Sequence, residues 1–480
     1  MNVMPLPTGG KRTIYTMLVV FSSVILLMMI AGLVMRLSQG GVITLPADMF
    51  YKLLTAHGVG MVGIAGLGGS TIMWYFLRQY VQLHTSILIT TLVLFLIGVS
   101  CILASIFLGD FAGAWTFLFP LPGHSMGVWT NEAAILFLTG LLIVGVAFVL
   151  FYLDAGRAII QKYGSFSRSL GWPQLFSNSS DEAPPPTVVA STMVTIVNSL
   201  ALVVGASILI MMIINILNPN FTIDPLLAKN MIYFFGHTFI NATIYMAIIA
   251  VYEILPHYTN RPWKSNRIFL AAWTASSIMV LIVYPHHLFM DFAMPTWMLI
   301  MGQVISYTSG FPVLLVTTLG TLAIIYRSGI KWDAASALLV LSVFGWAGGV
   351  IPAVIDGTIS VNQVMHNTMW VPGHFHFYLI IGMIAMVFGF MYFLIKDSNK
   401  GQDNALDRVS FWVYTLSATG FVFMFLASGK EGIARRFAIH FPEWQSYSAV
   451  ASIFALFVIV AAAVFSLRFI FRLNAKKLMS

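Results

Sequence analysis

Twelve long runs of apolar residues divide the chain, and short polar segments separate them. A helix of about 20 apolar residues crosses the hydrocarbon core of a membrane, and every run is long enough to do so. Strands of a membrane β-barrel would be about ten residues long with alternating polarity, so helices are predicted instead. The runs cover residues of about 13–36, 50–77, 84–109, 132–154, 187–216, 231–255, 268–290, 297–326, 333–352, 368–395, 408–428 and 448–472.

Composition supports a membrane protein and excludes other classes. Of the 480 residues, 59% are hydrophobic and 8% are charged, whereas a soluble domain carries about a quarter charged residues. Disorder is excluded because it requires low hydrophobicity. The single cysteine, Cys101, excludes a disulfide framework, an iron–sulfur site and a CxxCH haem attachment. We therefore predict an all-α, polytopic membrane protein with about 12 transmembrane helices, forming a single transmembrane domain over residues 1–480.

The distribution of lysine and arginine predicts the orientation in the membrane. With the N-terminus inside, 18 of the 24 basic residues lie in inner loops or termini, as cytoplasmic segments require. Both termini are therefore expected in the cytoplasm, and the net charge of +8 is attributed to this bias rather than to a nucleic-acid partner. The longest inner loop, about 155–186, is predicted as a flexible connector. The remaining six basic residues, assigned to the outer side, are Arg36, Lys52, Lys229, Lys430, Arg435 and Arg436.

Six of the eleven histidines lie within the predicted spans. An ionisable residue inside a span suggests a functional site, although a single histidine commonly serves only to hydrogen-bond neighbouring helices. At a rise of about 1.5 Å per residue, all six fall roughly 5–15 Å below the outer surface. Scattered packing histidines would not share one layer, so a layer of metal or haem sites is predicted. These residues are His57, His237, His286, His287, His374 and His376.

Helical geometry divides these histidines among different sites. At about 100° per residue, His374 and His376 point to nearly opposite sides of their helix and can ligate two different cofactors. The adjacent pair His286 and His287 can form a three-imidazole site with His237, and imidazole suits copper, iron and zinc. That leaves His57 as the opposite axial ligand of whichever haem His376 serves.

Three sequence motifs resemble those of the haem–copper oxidoreductases, with most similarity to the B-family oxygen reductases. They are FFGH at 234–237, YPHH at 284–287 and HNTMWVPGHFH at 366–376. The resemblance covers most of the chain, whereas a twelve-helix transporter would carry these histidines only by coincidence. It implies a low-spin haem between His57 and His376, a high-spin haem on His374, and a copper held by His237, His286 and His287.

Further positions near the outer face fit the same family. Arg435-Arg436 resembles the arginine pair that clamps haem propionates, since a planar guanidinium pairs with a carboxylate through two hydrogen bonds; the alternative is two solvated loop arginines. The resemblance places His366 and Asn362 among propionate and proton-exit groups, although the family has an acid where this chain has Asn362. Asp291 matches an expected outer-face acid, or else is a simple loop residue.

The chain departs from the oxygen reductases at one decisive position. Those of the A and B families carry a tyrosine four residues after the helix-six histidine, cross-linked to it, and here that position is Asn241. Four residues is one turn, so Asn241 faces the metal with His237. The C-family tyrosine position is Val280. Tyr245 lies another turn inward from Asn241, and Tyr284 precedes His286 by two residues and so points away from it. Neither is an obvious substitute, and only Tyr284 is close enough to remain an alternative.

The number of electrons that each reaction requires explains why an asparagine at position 241 matters. Splitting O₂ in one step requires four electrons, of which the tyrosine supplies one together with a proton, and asparagine can supply neither. Reducing two NO to N₂O requires only two electrons and two protons. The sequence therefore favours a nitric oxide reductase, with an oxygen reductase (cytochrome c oxidase subunit I) as the alternative and an electron-transfer or sensing subunit as a third. Known nitric oxide reductases hold iron with a glutamate near the haem, and none is near the histidine layer here, so copper and non-haem iron both remain open.

The resemblance also bears on protons and partners. Tyr252 and Ser306 match an inner proton channel, but the next two hydroxyl positions are Val313 and Val316, so we expect protons to come from the outer side. Because the chain lacks a cysteine pair and a c-haem motif, a second subunit carrying a dicopper or c-type haem electron-entry centre is implied on the outer face. The expected setting is the lipid of the cell membrane, with NO or O₂ as substrate and no nucleic acid.

Overall fold

The computed structural model describes residues 7–177, 179–396 and 403–474. Lys400, Lys476 and Lys477, which entered the charge count, lie outside these residues. Within them every predicted span is a membrane-length helix, and no strand forms apart from one isolated bridge. The twelve helices, named α1 to α12 in chain order, are Thr8–Gln39, Ala47–Leu77, Thr85–Phe107, Asn131–Tyr163, Pro186–Leu217, Pro225–Thr259, Arg267–Leu288, Thr296–Ile325, Ala334–Asp356, Trp370–Lys396, Ala405–Lys430 and Pro442–Leu473.

Polar side chains define where several helices begin. The carboxylate of Asp224 accepts a hydrogen bond from the backbone N–H of Leu227 at 2.7 Å, and Pro225 follows it as the first residue of α6. Proline suits this position because its missing N–H would have no partner there. Asp333 and Ser336 form a reciprocal capping box at the start of α9, which satisfies backbone N–H groups that the helix itself cannot.

The helices that carry most of the histidines are the innermost ones. In the most apolar 18-residue stretch of each helix, 89% of residues are buried in α6 and α10 and 72% in α2, against 22% in α8 and 33% in α3. The peripheral helices turn large apolar side chains outward, such as Leu96 on α3 and Leu319 on α8. Lipid requires such a surface, since it offers no partners to polar groups. The chain is therefore a multi-pass membrane protein with α2, α6 and α10 at its centre.

Three helices depart from regular α geometry near the histidines. The regular part of α7 ends at Ile282, and Tyr284–Leu288 continues as a 3₁₀ turn, so His286 and His287 lie just beyond the α-helix predicted to hold them. Pro285 explains this, because it lacks a backbone N–H and clashes with the preceding turn. Helix α8 is interrupted at Gly310. Helix α10 widens into π geometry over Phe377–Ile384, a feature that is frequent at functional sites.

The segment predicted as a flexible connector, about 155–186, is largely helical. Helix α4 continues into this segment as far as Tyr163. Gly164 follows it with a φ of 82°, a left-handed conformation that glycine adopts without steric cost. Two short helices follow, Phe166–Ser169 and Trp172–Phe176. The hydroxyl of Ser165 caps the first of them. The prediction is therefore wrong for these residues, because local capping and packing order a segment that composition alone suggested was irregular.

Candidate haem and metal centre

A single cavity brings together all ten predicted site residues. It lies at the end of the bundle where α2, α6 and α10 begin and where α7 and α9 end, which we call the histidine end. Its empty volume is about 2700 Å³, including the part open to solvent. The ten residues that line it are His57, His237, Asn241, His286, His287, His366, His374, His376, Arg435 and Arg436. The six span histidines are half-buried, and the cavity accounts for the surface they expose.

Three of these histidines form a cluster that can hold one metal ion. Nitrogen atoms of His237, His286 and His287 all lie within 4.8 Å of one another. The Nδ1 atom of His237 is 2.9 Å from Nε2 of His287. A metal ion with bonds of about 2.0–2.1 Å to imidazole nitrogen fits between ligand atoms spaced in this way. The donor set suits copper, iron or zinc.

Ser306 determines which nitrogen of His286 faces this cluster. Its hydroxyl donates to the carbonyl oxygen of Gly302 at 2.6 Å, and its oxygen lies 2.7 Å from Nδ1 of His286. Because the hydroxyl proton is already used, Nδ1 carries the imidazole proton and donates it, which leaves Nε2 free to bind a metal. The sequence resemblance assigned Ser306 to an inner channel. The structure adds this contact with His286, and the channel assignment stays a prediction.

Asn241 lies against His237, as its one-turn spacing predicts. Its amide nitrogen is 2.6 Å from Nε2 of His237, while Nδ1 of the same ring approaches His287. An amide offers both a donor and an acceptor and can therefore match either tautomer of the imidazole. Val280, the other position examined for a tyrosine, also lines the cavity.

A tyrosine that sequence reasoning overlooked stacks on the cluster. The ring of Tyr233 lies 5.1 Å from that of His287 with an interplanar angle of 14°, and Tyr233 lines the cavity. It precedes His237 by four residues, so the same one-turn rule that selected Asn241 would have found it. Tyr284, the substitute considered from the sequence, instead donates its hydroxyl to the side-chain oxygen of Asn230 at 3.0 Å.

A second pair of histidines has the spacing that a haem iron requires. The ring centres of His57 and His376 are 6.2 Å apart, and their planes differ by 16°. Two metal–nitrogen bonds of about 2 Å each, plus about 1 Å from each ring centre to its nitrogen, require about 6 Å. Each Nδ1 lies 2.7 Å from a carbonyl oxygen, that of Met28 for His57 and that of Pro372 for His376. Both therefore hold their proton on Nδ1 and keep Nε2 available as an axial ligand.

The surroundings of this pair are tight. A Cβ atom on Gly32 would lie 3.0 Å from the ring of His57. Helix α1 can approach α2 this closely only because this residue has no side chain. The ring of Phe425 stacks on His376 at 4.9 Å, and the guanidinium of Arg36 lies 4.9 Å from the centre of the Phe425 ring. Arg36 was counted on the outer side. It lies in the last turn of α1, where it is buried and lines the cavity.

His374 provides a further test of whether the cavity suits haem. Its Nδ1 atom is buried and has no hydrogen-bond partner among the described residues. Leaving such an atom unpaired costs on the order of 1–3 kcal/mol, which is unusual unless the ring has another role. His376 faces His57. His374 lies two residues away on the same helix and so points to nearly the opposite side, where it lines the cavity together with His237 and His286.

Backbone pairing positions the two arginines at the mouth of the cavity. The backbone N–H of Arg435 donates to the carbonyl oxygen of Asn367 at 2.9 Å, and that of Met369 donates to Ile433 at 2.9 Å. Arg436 has a φ of 67°, a conformation that costs a non-glycine residue on the order of 1–3 kcal/mol. This strained backbone and the pairing with the segment before α10 tie both arginines to the histidine motif.

The charges at the mouth suit an anionic group. Burial, and then the neighbouring charge of Arg436, lower the pKa of Arg435 to about 10. Burial, followed by the charges of Arg435 and Arg436, lowers the pKa of His366 to about 4, so this ring is neutral at physiological pH. No described carboxylate lies within 4 Å of either arginine as an ion pair. Two adjacent guanidinium groups without an acid match the carboxylates of haem propionates.

The other predicted positions have different surroundings. Asp291 forms an ion pair with Lys229 at 2.6 Å. Tyr252 is hydrogen-bonded to the hydroxyl of Thr317 at 2.6 Å, so a hydroxyl occupies this level of α8 even though Val313 and Val316 interrupt the expected series. Thr317 was missed because the sequence comparison was confined to positions that match the family's channel.

Comparison with known proteins agrees with the residue motifs. Residues 12–459 match the family described as "Cytochrome C and Quinol oxidase polypeptide I". The chain belongs to this family. It is therefore a subunit I protein of the haem–copper oxidases, an oxidoreductase family whose members bind two haems and a copper.

Individual relatives are distant. Over 254 residues the chain is 24% identical to "Cytochrome c oxidase subunit 1" of Cereibacter sphaeroides. The matched region is 52% of this chain and 44% of that protein. Over 271 residues it is 25% identical to the protein of the same name from Thermus thermophilus, with 52% and 48% covered. The matched part thus spans less than half the length of either relative.

A solved structure of a haem–copper terminal oxidase dimer superimposes with a TM-score of 0.77. The superposition covers 97% of this chain and 84% of the other at 19% identity. At that identity the likeness establishes the fold, and the family match establishes the class of oxidoreductase.

Proposed function

We propose that this chain is the catalytic subunit of a respiratory nitric oxide reductase, acting as one transmembrane catalytic domain. The reaction is 2 NO + 2 e⁻ + 2 H⁺ → N₂O + H₂O. The observation that carries the proposal is the amide of Asn241, 2.6 Å from Nε2 of His237, at the position where oxygen reductases of the resembling families have a tyrosine.

The proposed ligands follow from the two histidine groupings. In this assignment His57 and His376 would hold a low-spin haem, and His374 would hold a high-spin haem. His237, His286 and His287 would hold copper or non-haem iron. When bound, these groups supply the redox chemistry, and the chain supplies their positions, their tautomers and their surroundings.

The protein side chains around the reacting centre match a two-electron reaction. Asn241 can orient His237 through a hydrogen bond, but an amide has neither an electron nor a proton to give at ordinary pH. Ser306 orients His286, and Arg435 and Arg436 are placed to neutralise propionate carboxylates. These roles require no oxidisable side chain, which is what reduction of NO, unlike one-step cleavage of O₂, permits.

The cellular setting is part of the same proposal. The bundle lies in the cell membrane with both termini in the cytoplasm and with the histidine end toward the outer face. Electrons arrive from a second subunit that carries a dicopper or c-type haem centre and docks on that face. A fully active single chain supplied only with reduced cytochrome c would contradict this part of the proposal.

One assay on the purified complex tests the reaction. We expect NO-dependent formation of N₂O, measured by gas chromatography, to exceed O₂ consumption measured with an electrode under the same electron supply. O₂ reduction to water at rates typical of oxidases, without N₂O, would overturn the proposal. Elemental analysis of the same sample distinguishes copper from iron at the three-histidine cluster.

Tyr233 favours oxygen reduction as the second candidate function. Its ring lies 5.1 Å from that of His287, and tyrosine can supply both an electron and a proton. If the enzyme reduces O₂ with Tyr233 as that donor, Tyr233→Phe abolishes O₂ consumption while the haem spectrum persists. If the enzyme is a nitric oxide reductase, the same variant leaves N₂O formation largely unchanged.

A further inference from the structure

A buried carboxylate at the histidine end has no role in the arrangement described so far. Asp356 is the last residue of α9, is 8% exposed and lines the cavity. No described lysine or arginine lies within 4 Å of it as an ion pair. Burying a carboxyl group without a close counter-ion is costly, so such a residue commonly has a functional reason to persist.

The immediate neighbour of Asp356 is the position where the family resemblance calls for an acid. The amide nitrogen of Asn362 donates to the backbone oxygen of Asp356 at 2.8 Å and lies 3.2 Å from its carboxylate oxygen. Asn362 is 2% exposed and also lines the cavity. The carboxylate of this chain is therefore within hydrogen-bond distance of the side chain that replaces the expected acid, six residues away in sequence.

A second observation suggests a polar occupant between this pair and the cavity. The side-chain oxygen of Asn362 is buried and has no partner among the described residues. Buried acceptors of this kind usually receive a hydrogen bond from a water molecule or a protonated group. The bond that holds the turn uses the backbone oxygen of Asp356, so the carboxyl group itself is not needed to maintain it.

The position of this pair connects two parts of the centre. Asp356 lines the same cavity as Arg435 and His366. The next residue, Gly357, packs against Ser306 so closely that a Cβ atom would lie 3.0 Å from the serine Cβ. Ser306 in turn contacts His286. The segment that carries Asp356 thus reaches the three-histidine cluster through Gly357 and Ser306.

We propose that Asp356 is the acid that exchanges protons between the water at the histidine end and the cavity, replacing the acid that the family carries at the position of Asn362. Its carboxyl group gives its proton to water in the cavity and regains one from outside; no electron moves at this residue. Two such transfers accompany each N₂O formed. The number of protons per turnover rests on the proposed function, whereas the exchange itself does not.

An exchange of residues between the two positions tests this inference in the purified complex. We expect Asp356→Asn to lower turnover by on the order of 10²-fold, as loss of a proton-transfer group does, with the haem spectrum intact. The double variant Asp356→Asn/Asn362→Asp is expected to recover most of the turnover. The control Asp110→Asn removes a carboxylate that is paired with Lys52, and it should leave turnover unchanged.

Infrared difference spectroscopy gives a readout that does not depend on turnover. A carboxyl C=O band that changes on reduction should be present in the wild type, absent in Asp356→Asn and present in Asp110→Asn. Wild-type turnover in Asp356→Asn, or the same band in that variant, would overturn the inference. If Asp356→Asn fails to assemble, Asp356→Ala retains the backbone oxygen that Asn362 uses and is read in the same way.

Failure of this inference can be told apart from failure of the proposed function. If the wild-type complex consumes O₂ and forms no N₂O, the nitric oxide reductase proposal fails, and the same variants are compared by O₂ consumption. If N₂O forms at equal rates in the wild type and in a fully assembled Asp356→Asn complex, only the role of Asp356 is refuted.

Discussion

Replacing Ser306 with alanine should weaken the metal site without disturbing the haems. The serine oxygen accepts the proton of His286 Nδ1 at 2.7 Å, and the serine hydroxyl is committed to Gly302 at 2.6 Å. Without this acceptor, His286 can place its proton on either nitrogen and can rotate. Only one tautomer leaves Nε2 free for the metal.

The size of the effect follows from the hydrogen bond that is lost. A buried hydrogen bond contributes about 1 kcal/mol net, and an unpaired N–H left in its place costs about 1–3 kcal/mol. Since about 1.4 kcal/mol corresponds to a tenfold change in affinity, we expect metal affinity to fall by about 10–100-fold, the usual range for partners of metal-bound histidines.

The assay is metal retention against a graded chelator, measured by elemental analysis, with the haem absorption spectrum recorded on the same samples. Thr308→Ala is a matched control. Thr308 lies on the same helix segment and its hydroxyl also bonds the carbonyl oxygen four residues earlier, but its side chain is exposed. Equal retention in Ser306→Ala and the wild type, or equal loss in both variants, would refute the reasoning.

Three further predictions concern the same cavity. Gly32→Val should displace the ring of His57, because even a Cβ atom would lie 3.0 Å from it. The low-spin haem absorption should therefore weaken or shift. The control Gly9→Val on the same helix, where the nearest contact of a Cβ atom would be 3.5 Å, should leave that absorption unchanged. His57→Ala and His376→Ala should each abolish the low-spin spectrum, and a normal six-coordinate spectrum in both would disprove the assignment. Asn241→Tyr removes no group that NO reduction requires, so N₂O formation should persist and residual O₂ consumption should rise. A complete loss of N₂O formation would mean that the amide is itself required.

Much of the architecture could be predicted from the sequence because membrane lipid allows few solutions. A chain that crosses hydrocarbon must satisfy its backbone hydrogen bonds internally, so apolar runs of sufficient length predict helices, and all twelve were found. The facing of Asn241 toward His237 was predicted for a similar reason, since residues four apart lie one above the other on a helix. Both predictions depend on geometry within single helices, and both were confirmed.

Predictions were less complete where contacts join separate segments. Arg36 was counted only as a charge on the outer side, because charge counting considers only position along the chain, and the fold reveals that it is buried in α1 and lines the cavity. Ser306 was assigned to a channel by resemblance, and the packing of α8 places it against His286. Tyr233 was within reach of the one-turn rule but was overlooked because only positions known to carry tyrosine in the family were considered.

The sequence by itself determined the number of helices, the position of the six span histidines toward one end of the bundle, and the absence of tyrosine at the positions where the resembling families carry it. Only the tertiary structure decided which histidines approach one another, which nitrogen of each ring is free, and that Asp356 lies beside Asn362. Periodicity specifies the relative direction of side chains on one helix. The rotation and tilt of one helix against another depend on side-chain packing throughout the bundle, and close approaches such as that at Gly32 arise only once the helices have assembled.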